Sequence, residues 1–313
     1  MNGKIVGNLY STTNYTKINI NKKIMNTHFS IRALGLFFFF LVCGNTNAQI
    51  QVSVGAMDME YTFTEETWIN HVHYKAIEPN QATVIDFDKD FHDTVNIAPN
   101  VEMNGKTFTV TAIGTYTGYH GDCNLKCSRL ILPETLREIR EFAFLKASIK
   151  SVKIPGSVKV IRHDAFAGCR LEEVTFEEGL QAIHSRAFNG TNITNLALPK
   201  NMNFICDDAF GNCLNLETVI LPDTLKEIGE RVFDSDQNLN SITLPSKMSN
   251  DLKMPLFNGC DNLKEIISPS KVPLKIVGSF DCKEDVVLKV PRGAKKRYQK
   301  ADGWNKFLKI KDK

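Results

Sequence analysis

Apolar residues in the stretch from Leu221 to Phe233, LPDTLKEIGERVF, match neither the 3.6-residue turn of a helix nor the alternation of a single strand. Close relatives of the stretch stand elsewhere in the chain: LPETLREIREFAF ends at Phe144, IPGSVKVIRHDAF at Phe166 and LPKNMNFICDDAF at Phe210. Aligned on the position after each apolar triplet, the slot holds Pro133, Pro155, Glu177, Pro199, Pro222, Pro245, Pro269 and Pro291, at spacings of 22, 22, 22, 23, 23, 24 and 22. The aromatic column Phe144, Phe166, Phe188, Phe210, Phe233 and Phe257 gives 22, 22, 22, 23 and 24 independently. The pattern is a repeat.

A period in the low twenties with Leu or Ile at fixed offsets is the mark of a leucine-rich-repeat solenoid. One unit reads Leu216, Val219, Leu221, Leu225, Ile228, Val232 and Phe233. LETVIL is β-compatible, and Pro222 cannot donate a ladder bond, so it ends the strand at a turn. Leu225 and Ile228 then point inward along an irregular or short helical arc, and the A-F pair closes the coil. No single rung can bury this much apolar surface; stacked rungs can, with the short strands forming a parallel sheet at about 4.8 Å per rung. The predicted fold class is therefore a repeat solenoid, a leucine-rich repeat with one short strand per rung.

The repeats IPGSVKVIRHDAFAGC and LPDTLKEIGERVF resemble those of the BspA-like bacterial leucine-rich-repeat proteins, and the tail LKVPRGAKKRYQKADGWNKFLKI resembles that family's usual ending. The resemblance spans roughly residues 95–311. It implies a surface protein that adheres to host proteins such as fibronectin and fibrinogen and to other bacteria.

The ends of a solenoid must be capped, because a bare end exposes core and strand edge. The expected domains are a signal-peptide region over 1–48, a β-rich N-terminal cap over 50–113, the solenoid over 114–285, and the last rung with a short helical cap over 286–313. In the cap at the N-terminal side, Asn104-Gly105 is the strongest hairpin signal, since both residues accept the positive φ of a type I′ turn. Thr115–Lys126 lacks an A-F pair and reads as a loop or irregular rung. At the other end Tyr298, Trp304 and Phe307 read as aromatics laid over the last rung.

Arg32 followed by ALGLFFFFLV and GNTNAQ has the anatomy of a signal peptide, with cleavage after Ala48 and a true start at Met25 as one reading. Cys43 offers lipid anchoring as the other. The apolar run is about half of the roughly 20 residues a spanning helix needs, so no integral membrane segment is expected after cleavage. The chain should be exported to the cell surface or beyond, or held in the periplasm.

The net charge of +3 over 313 residues gives no reason to expect nucleic acid. From Lys283 on, however, 11 basic residues face 4 acidic ones. This segment, including Lys295, Lys296 and Arg297, reads as a solvated face or as an attraction to acidic surface polymers or headgroups. Seven cysteines remain after Cys43 is set aside, so at least one stays unpaired. Cys169, Cys213 and Cys260, each three residues after a repeat Phe and on alternate rungs, should lie about 10 Å apart, beyond the roughly 7 Å limit for bridging. They are expected as buried thiols, while Cys123 and Cys127 are the candidate pair. His71-x-His73 would put two imidazoles on one strand face, but no third ligand is nominated, and no metal or other cofactor is expected. His163 and His184 read as solvent-facing. No G-x-S-x-G, H-E-x-x-H, phosphate loop or calcium loop is present, so the chain reads as a non-enzyme.

Two outward columns follow from the strand alternation. One runs Ile131, Lys153, Thr175, Ala197, Ile220, Thr243, Ile267 and Lys289, and the other Arg129, Ser151, Glu173, Asn195, Thr218, Ser241, Glu265 and Val287. Lys153, Thr175, Ala197, Ile220, Thr243 and Ile267 are the candidate contacts for a protein ligand, possible sources being host extracellular matrix or another bacterial surface protein. A structural or assembly component of the envelope is the alternative.

Overall fold

The computed structural model describes residues 65–88, 93–114, 122–123, 125–248, 251–278, 280 and 282–313, and the backbone of four upstream strands at Lys4–Tyr10, Tyr15–Asn21, Ile50–Val54 and Met57–Tyr61. The expected signal segment at Arg32–Ala48, with Cys43 and the alternative start Met25, lies outside the described residues, as does most of the Thr115–Lys126 loop. The rest is a parallel β-solenoid.

Its front face is built from one strand per coil. A four-stranded sheet joins Val95–Asn96, Lys126–Ile131, Ser148–Ile154 and Glu173–Phe176. A six-stranded sheet continues with Asn195–Ala197, Thr218–Ile220, Ser241–Thr243, Glu265–Ile267, Val287–Val290 and Lys309–Asp312. The ladder is interrupted between the two, at the coil where Glu177 replaces the usual Pro. The middle residue of each strand, as in Val152, Val219, Ile242 and Leu288, is buried, and its two neighbours face out. At the slot itself, Pro133, Pro155, Pro199 and Pro222 each present a carbonyl to the N–H three residues on, at 3.0–3.2 Å, which closes the turn that ends the strand. At the coil with Glu177 this corner is tight: a Cβ on Gly179, where φ is +141°, would stand 2.0 Å from the Gly156 carbonyl oxygen one rung earlier.

The arc is not helical. Its two residues before the closing turn, as in Glu138–Ile139, Val160–Ile161, Ala182–Ile183, Phe204–Ile205 and Glu227–Ile228, form a second parallel sheet that runs on into the N-terminal cap. Where both ladders are continuous, a coil therefore hydrogen-bonds to its neighbours on two sides. A third contact line lies at the closing turn, where Phe144, Phe166 and Phe188 donate their N–H to Ala165, Ala187 and Ala209 of the next coil at 2.7–2.8 Å.

The phenylalanines stand in one file. Ring centroids from Phe144 to Phe257 are 4.9, 5.1, 5.3, 6.0 and 6.5 Å apart with interplanar angles of 20° or less, an offset stack of buried rings. The file extends past the sequence-derived column: Phe87 meets Phe144 at 5.7 Å, and Phe280 continues from Phe257 at 6.2 Å before meeting Trp304 and Phe307 at 4.9 Å each. Two residues before the file, Asp164, Arg186, Asp208 and Arg231 hold φ between 52° and 59°. Such left-handed geometry costs about 1–2 kcal/mol per residue. Cross-rung ion pairs occupy the same positions, with Arg186 on Asp164 at 3.1 Å and Arg231 on Asp208 at 3.0 Å.

Three residues after each Phe lies a slot holding Cys169, Thr191, Cys213, Asp236 and Cys260 in consecutive coils. All are buried. Cys169, Cys213 and Cys260 donate their thiols to the carbonyls of Phe144, Phe188 and Phe233 of the preceding coil, at 2.8, 3.3 and 2.9 Å. Asp236 accepts the Cys213 N–H at 2.7 Å, and burial pushes its carboxyl up to about 9. At neutral pH this is a protonated acid. Cys123 and Cys127 are free thiols, raised by burial to about 12 and about 11.

Both described ends of the coil are covered. Strands Glu66–Ile69, Val72–Glu78, Gln81–Phe87, Asn100–Met103 and Lys106–Ile113 build the N-terminal side, the last pair joined at Asn104-Gly105 with φ of 50° and 75°. At the C-terminal end Lys295–Lys300 forms a single short helix with Tyr298 buried, and Trp304–Lys306 a 3₁₀ turn with Trp304 buried. Trp304 Nε1 donates to the Leu274 carbonyl at 2.7 Å and Tyr298 OH to that of Ser270 at 2.9 Å. The chain then returns to the front face as the strand Lys309–Asp312, which makes the helical cap the arc of one more coil.

Phe188→Ala, in the middle of the file, should lower unfolding free energy by about 3–5 kcal/mol in urea titration. A loss as small as that of an exposed substitution would contradict the load assigned to the ring stack. For Asp236 the folded value near 9 lies far above the 3.8 of the free side chain. Its neutral form is complete below about pH 4, so its contribution to stability erodes as pH rises toward 9. The neutral thiols of Cys213 and Cys260 flank it, and Asp234 adds negative charge. Against Asp236→Asn, the natural protein should lose up to about 1.4 kcal/mol per pH unit between pH 5 and 8; parallel profiles would show that the carboxyl is not held neutral.

Candidate functional site

The front face turns its side chains into columns because parallel pairing puts equivalent residues side by side. Lys153 pairs with Thr175 across one gap, and Ala197, Ile220, Thr243, Ile267 and Lys289 follow in unbroken register beyond the interruption. The second column, Asn195, Thr218, Ser241, Glu265 and Val287, runs beside it in the same register. Both continue one strand past the sequence-derived set, into Lys309 and Lys311. The LKIKDK ending repeats the alternation of LKVP, which is the signal that identifies this strand.

Charge is distributed unevenly along these columns. The three middle strands offer Asn195, Ala197, Thr218, Ile220, Ser241 and Thr243, with no ionisable group among them. Ile220 is 59% exposed at the centre of this patch, and Thr218 Oγ1 donates to Asn195 Oδ1 at 2.6 Å beside it. Charges begin on either side. Toward the N-terminus, Lys153 Nζ lies 2.5 Å from Glu177 Oε1. Glu177 occupies the Pro slot and also accepts the Gly156 N–H at 3.0 Å. The hydrogen bond to Glu177, with its charge, holds the Lys153 ammonium above the usual lysine range, and the same bond, with that from Gly156, holds the carboxylate below its own. Toward the C-terminus, Lys289 Nζ lies 2.6 Å from Glu265 Oε2.

The candidate residues therefore divide. Ala197, Ile220 and Thr243 sit together in the uncharged centre, Thr175 lies across the interruption from them, and Lys153 and Ile267 fall toward the flanks. Lys153 is engaged in an ion pair rather than standing alone.

The opposite sheet carries a different column: Glu138, Val160, Ala182, Phe204 and Glu227. Phe204 is 42% exposed with Lys226 Nζ 6.0 Å from its ring centroid. Charges close on it at both ends, Arg140 and Arg162 on Glu138 at 2.7 and 3.1 Å and Lys253 on Glu227 at 2.7 Å. The periodicity of the repeats did not single out this second face, because a two-residue strand is too short to show alternation.

The histidines do not form the arrangement that their spacing allows. Asn70 and His71 make the hairpin turn, with φ of 47° and 68°, so His71 lies off the strand and its Nδ1 stands 3.0 Å from Asp88. His73 is on the strand, stacked on Trp68 at 4.6 Å with Glu66 3.5 Å away. Among the described residues no group of three His, Cys, Asp or Glu side chains is placed to hold a metal ion. His163 and His184 are half-buried rather than fully solvent-facing; His163 Nε2 lies 2.6 Å from buried Asp164, and burial holds the His184 imidazole below its usual value.

Six copies of a repeat described as the BspA type leucine rich repeat region match residues 111–213 and 181–282. The chain belongs to this family. One solved structure agrees on the fold of this BspA-type chain, and others are similar at lower scores. A leucine-rich repeat protein from Bacteroides ovatus shares 24% identity, with 79% of this chain and 76% of that one covered and a TM-score of 0.51. A leucine rich repeat protein from T. pallidum shares 24% identity over 76% of this chain and 96% of that one, at a TM-score of 0.45. A leucine rich cell surface protein from Faecalibacterium prausnitzii shares 16% over 79% and 94%, at 0.29. No curated protein matches the chain. The described residues include no helix long and apolar enough to cross a membrane.

The alternation makes a sharp prediction. Ile220→Glu should change unfolding free energy by no more than about 0.5 kcal/mol, while Val219→Glu, one residue away and buried, should abolish cooperative folding. Circular dichroism melts of the two variants distinguish them, and equal damage would mean that the outward columns are wrongly assigned.

Proposed function

We propose that this BspA-type chain is an exported, non-enzymatic protein that binds protein partners at the bacterial cell surface through its front sheet. The observation that carries the reading is the uncharged centre around Ile220, bracketed by ion pairs at Lys153–Glu177 and Lys289–Glu265. Depletion of charge at the centre with charge at the rim is the usual composition of a protein interface. Ten front strands at about 4.8 Å span roughly 40 Å, enough for a standard contact of about 800 Å² per partner. Thr175, Ala197, Ile220, Thr243 and Ile267 supply its surface, with Lys153 at one rim. The signal-like segment before Ala48 supports export, and the family supports display at the surface, with adhesion to host matrix proteins or to other bacteria as its use.

Protease shaving of intact cells tests the location: digestion of the chain is expected, and protection inside the envelope would favour an assembly role there. Pull-down from host matrix and partner-cell extracts tests the binding. The natural protein should retain a reproducible partner that an Ala197→Glu, Ile220→Glu double variant loses by at least about tenfold, since charge placed at an interface centre is costly. Equal retention by the variant would move the contact elsewhere.

A further inference from the structure

Through the body of the solenoid, several cations are paired from coil to coil: Lys153 with Glu177, Arg231 with Asp208, Lys253 with Glu227, Lys275 with Asp251 and Lys289 with Glu265. The final coil has no such pair among the described residues. Residues 292–313 contain nine Lys or Arg and only Asp302 and Asp312 as acids, a net +7 within a chain of +3 overall. All nine are exposed, and none is in an ion pair among the described residues. Holding so many like charges together in one coil is electrostatically unfavourable in isolation. Isolated unpaired cations such as Arg129, Arg170 and Lys200 occur elsewhere, but nine within one coil with two acids is a concentration that points to a partner bringing the anions.

The shape of the coil narrows the partner. Tyr298, Trp304 and Phe307 are turned inward, so no aromatic ring is left as a stacking platform for sugars. On the short helix, Lys296 and Lys300 are one turn apart on the side away from buried Tyr298. Leu308 stands 73% exposed between buried Phe307 and the lysines of the last strand, the most exposed large apolar side chain among the described residues. A lone leucine among flexible lysines is what an anionic bilayer recognises: ammonium groups at the headgroups and a short apolar side chain at the acyl boundary. We propose that the final coil docks the C-terminal end of the solenoid onto an anionic lipid surface, peripherally and without a spanning segment. The uncharged centre of the front sheet at Ile220, four strands from the strand of Lys309, is then left free for its own partner.

The test is co-sedimentation of the full chain with vesicles. The natural protein should bind vesicles of phosphatidylcholine with phosphatidylglycerol and leave pure phosphatidylcholine vesicles unoccupied. Raising salt should weaken binding steeply. The triple variant Lys296→Gln, Lys300→Gln, Lys309→Gln should bind about a hundredfold more weakly and Leu308→Ser about tenfold more weakly, each with an unchanged melt. Ile220→Glu should bind vesicles as the natural protein does, which separates this surface from the front sheet. Absence of binding to the anionic vesicles, or binding indifferent to the lysine changes, overturns the proposal. So does a Leu308→Ser variant with undiminished vesicle binding, which would leave attraction of charge alone with no contact at the acyl boundary, or a soluble sulfated polysaccharide that binds as tightly and shows the same lysine losses, which would assign the coil to a polymer instead of a bilayer.

Discussion

Every coil of this molecule depends on contact with the next. A single rung of about 22 residues exposes its central strand residue, its arc residues and its Phe on both open sides, and it cannot bury them alone. Stacking solves the problem three times over: at the front ladder, at the arc ladder, and along the file of rings from Phe87 to Phe280. The small slot behind the file adds a fourth line, where thiols cap the Phe carbonyls of the preceding coil. The ends must then be closed by something other than a repeat, and the buried Trp304 and Tyr298 do so with side chains whose polar atoms reach carbonyls of the coil beneath.

What the sequence makes legible is what is repeated and inward. The Pro slot and the Phe column set the period, and the offsets between them fix which residues enter the core. Phe280 escaped the column because the A-F pair becomes Ser279-Phe280 and the arc before it is irregular. The arc strand escaped because two residues carry no periodicity, although their hydrogen bonds run through much of the solenoid. His71 misleads for a local reason: Asn70 and His71 take positive φ, so the spacing of two that would align imidazoles on a strand instead straddles a turn.

The outward columns were equally legible, since alternation dictates them once the strands are placed. Their chemistry was not, because ion pairs form between residues a full coil apart. That Lys153 is engaged follows from Glu177 standing where other coils have Pro, a substitution that reads in one dimension as a defect in the repeat. The bare cations of the last coil likewise become distinctive only when the coil is known to hold nine of them, all exposed, against two acids.

The interrupted front ladder has a mechanical consequence. Between Glu173–Phe176 and Asn195–Ala197 the front side lacks its hydrogen-bonded seam, while the arc sheet passes the same level unbroken through Val160–Ile161, Ala182–Ile183 and Phe204–Ile205. Stiffness at that level is therefore one-sided, as in a book bound along its spine. Bending that spreads the front stretches side-chain contacts and the single bond from the Lys200 N–H to Glu178 rather than a ladder, whereas bending the other way must break the arc ladder, so the curvature of the rod yields most readily at this joint and in this direction.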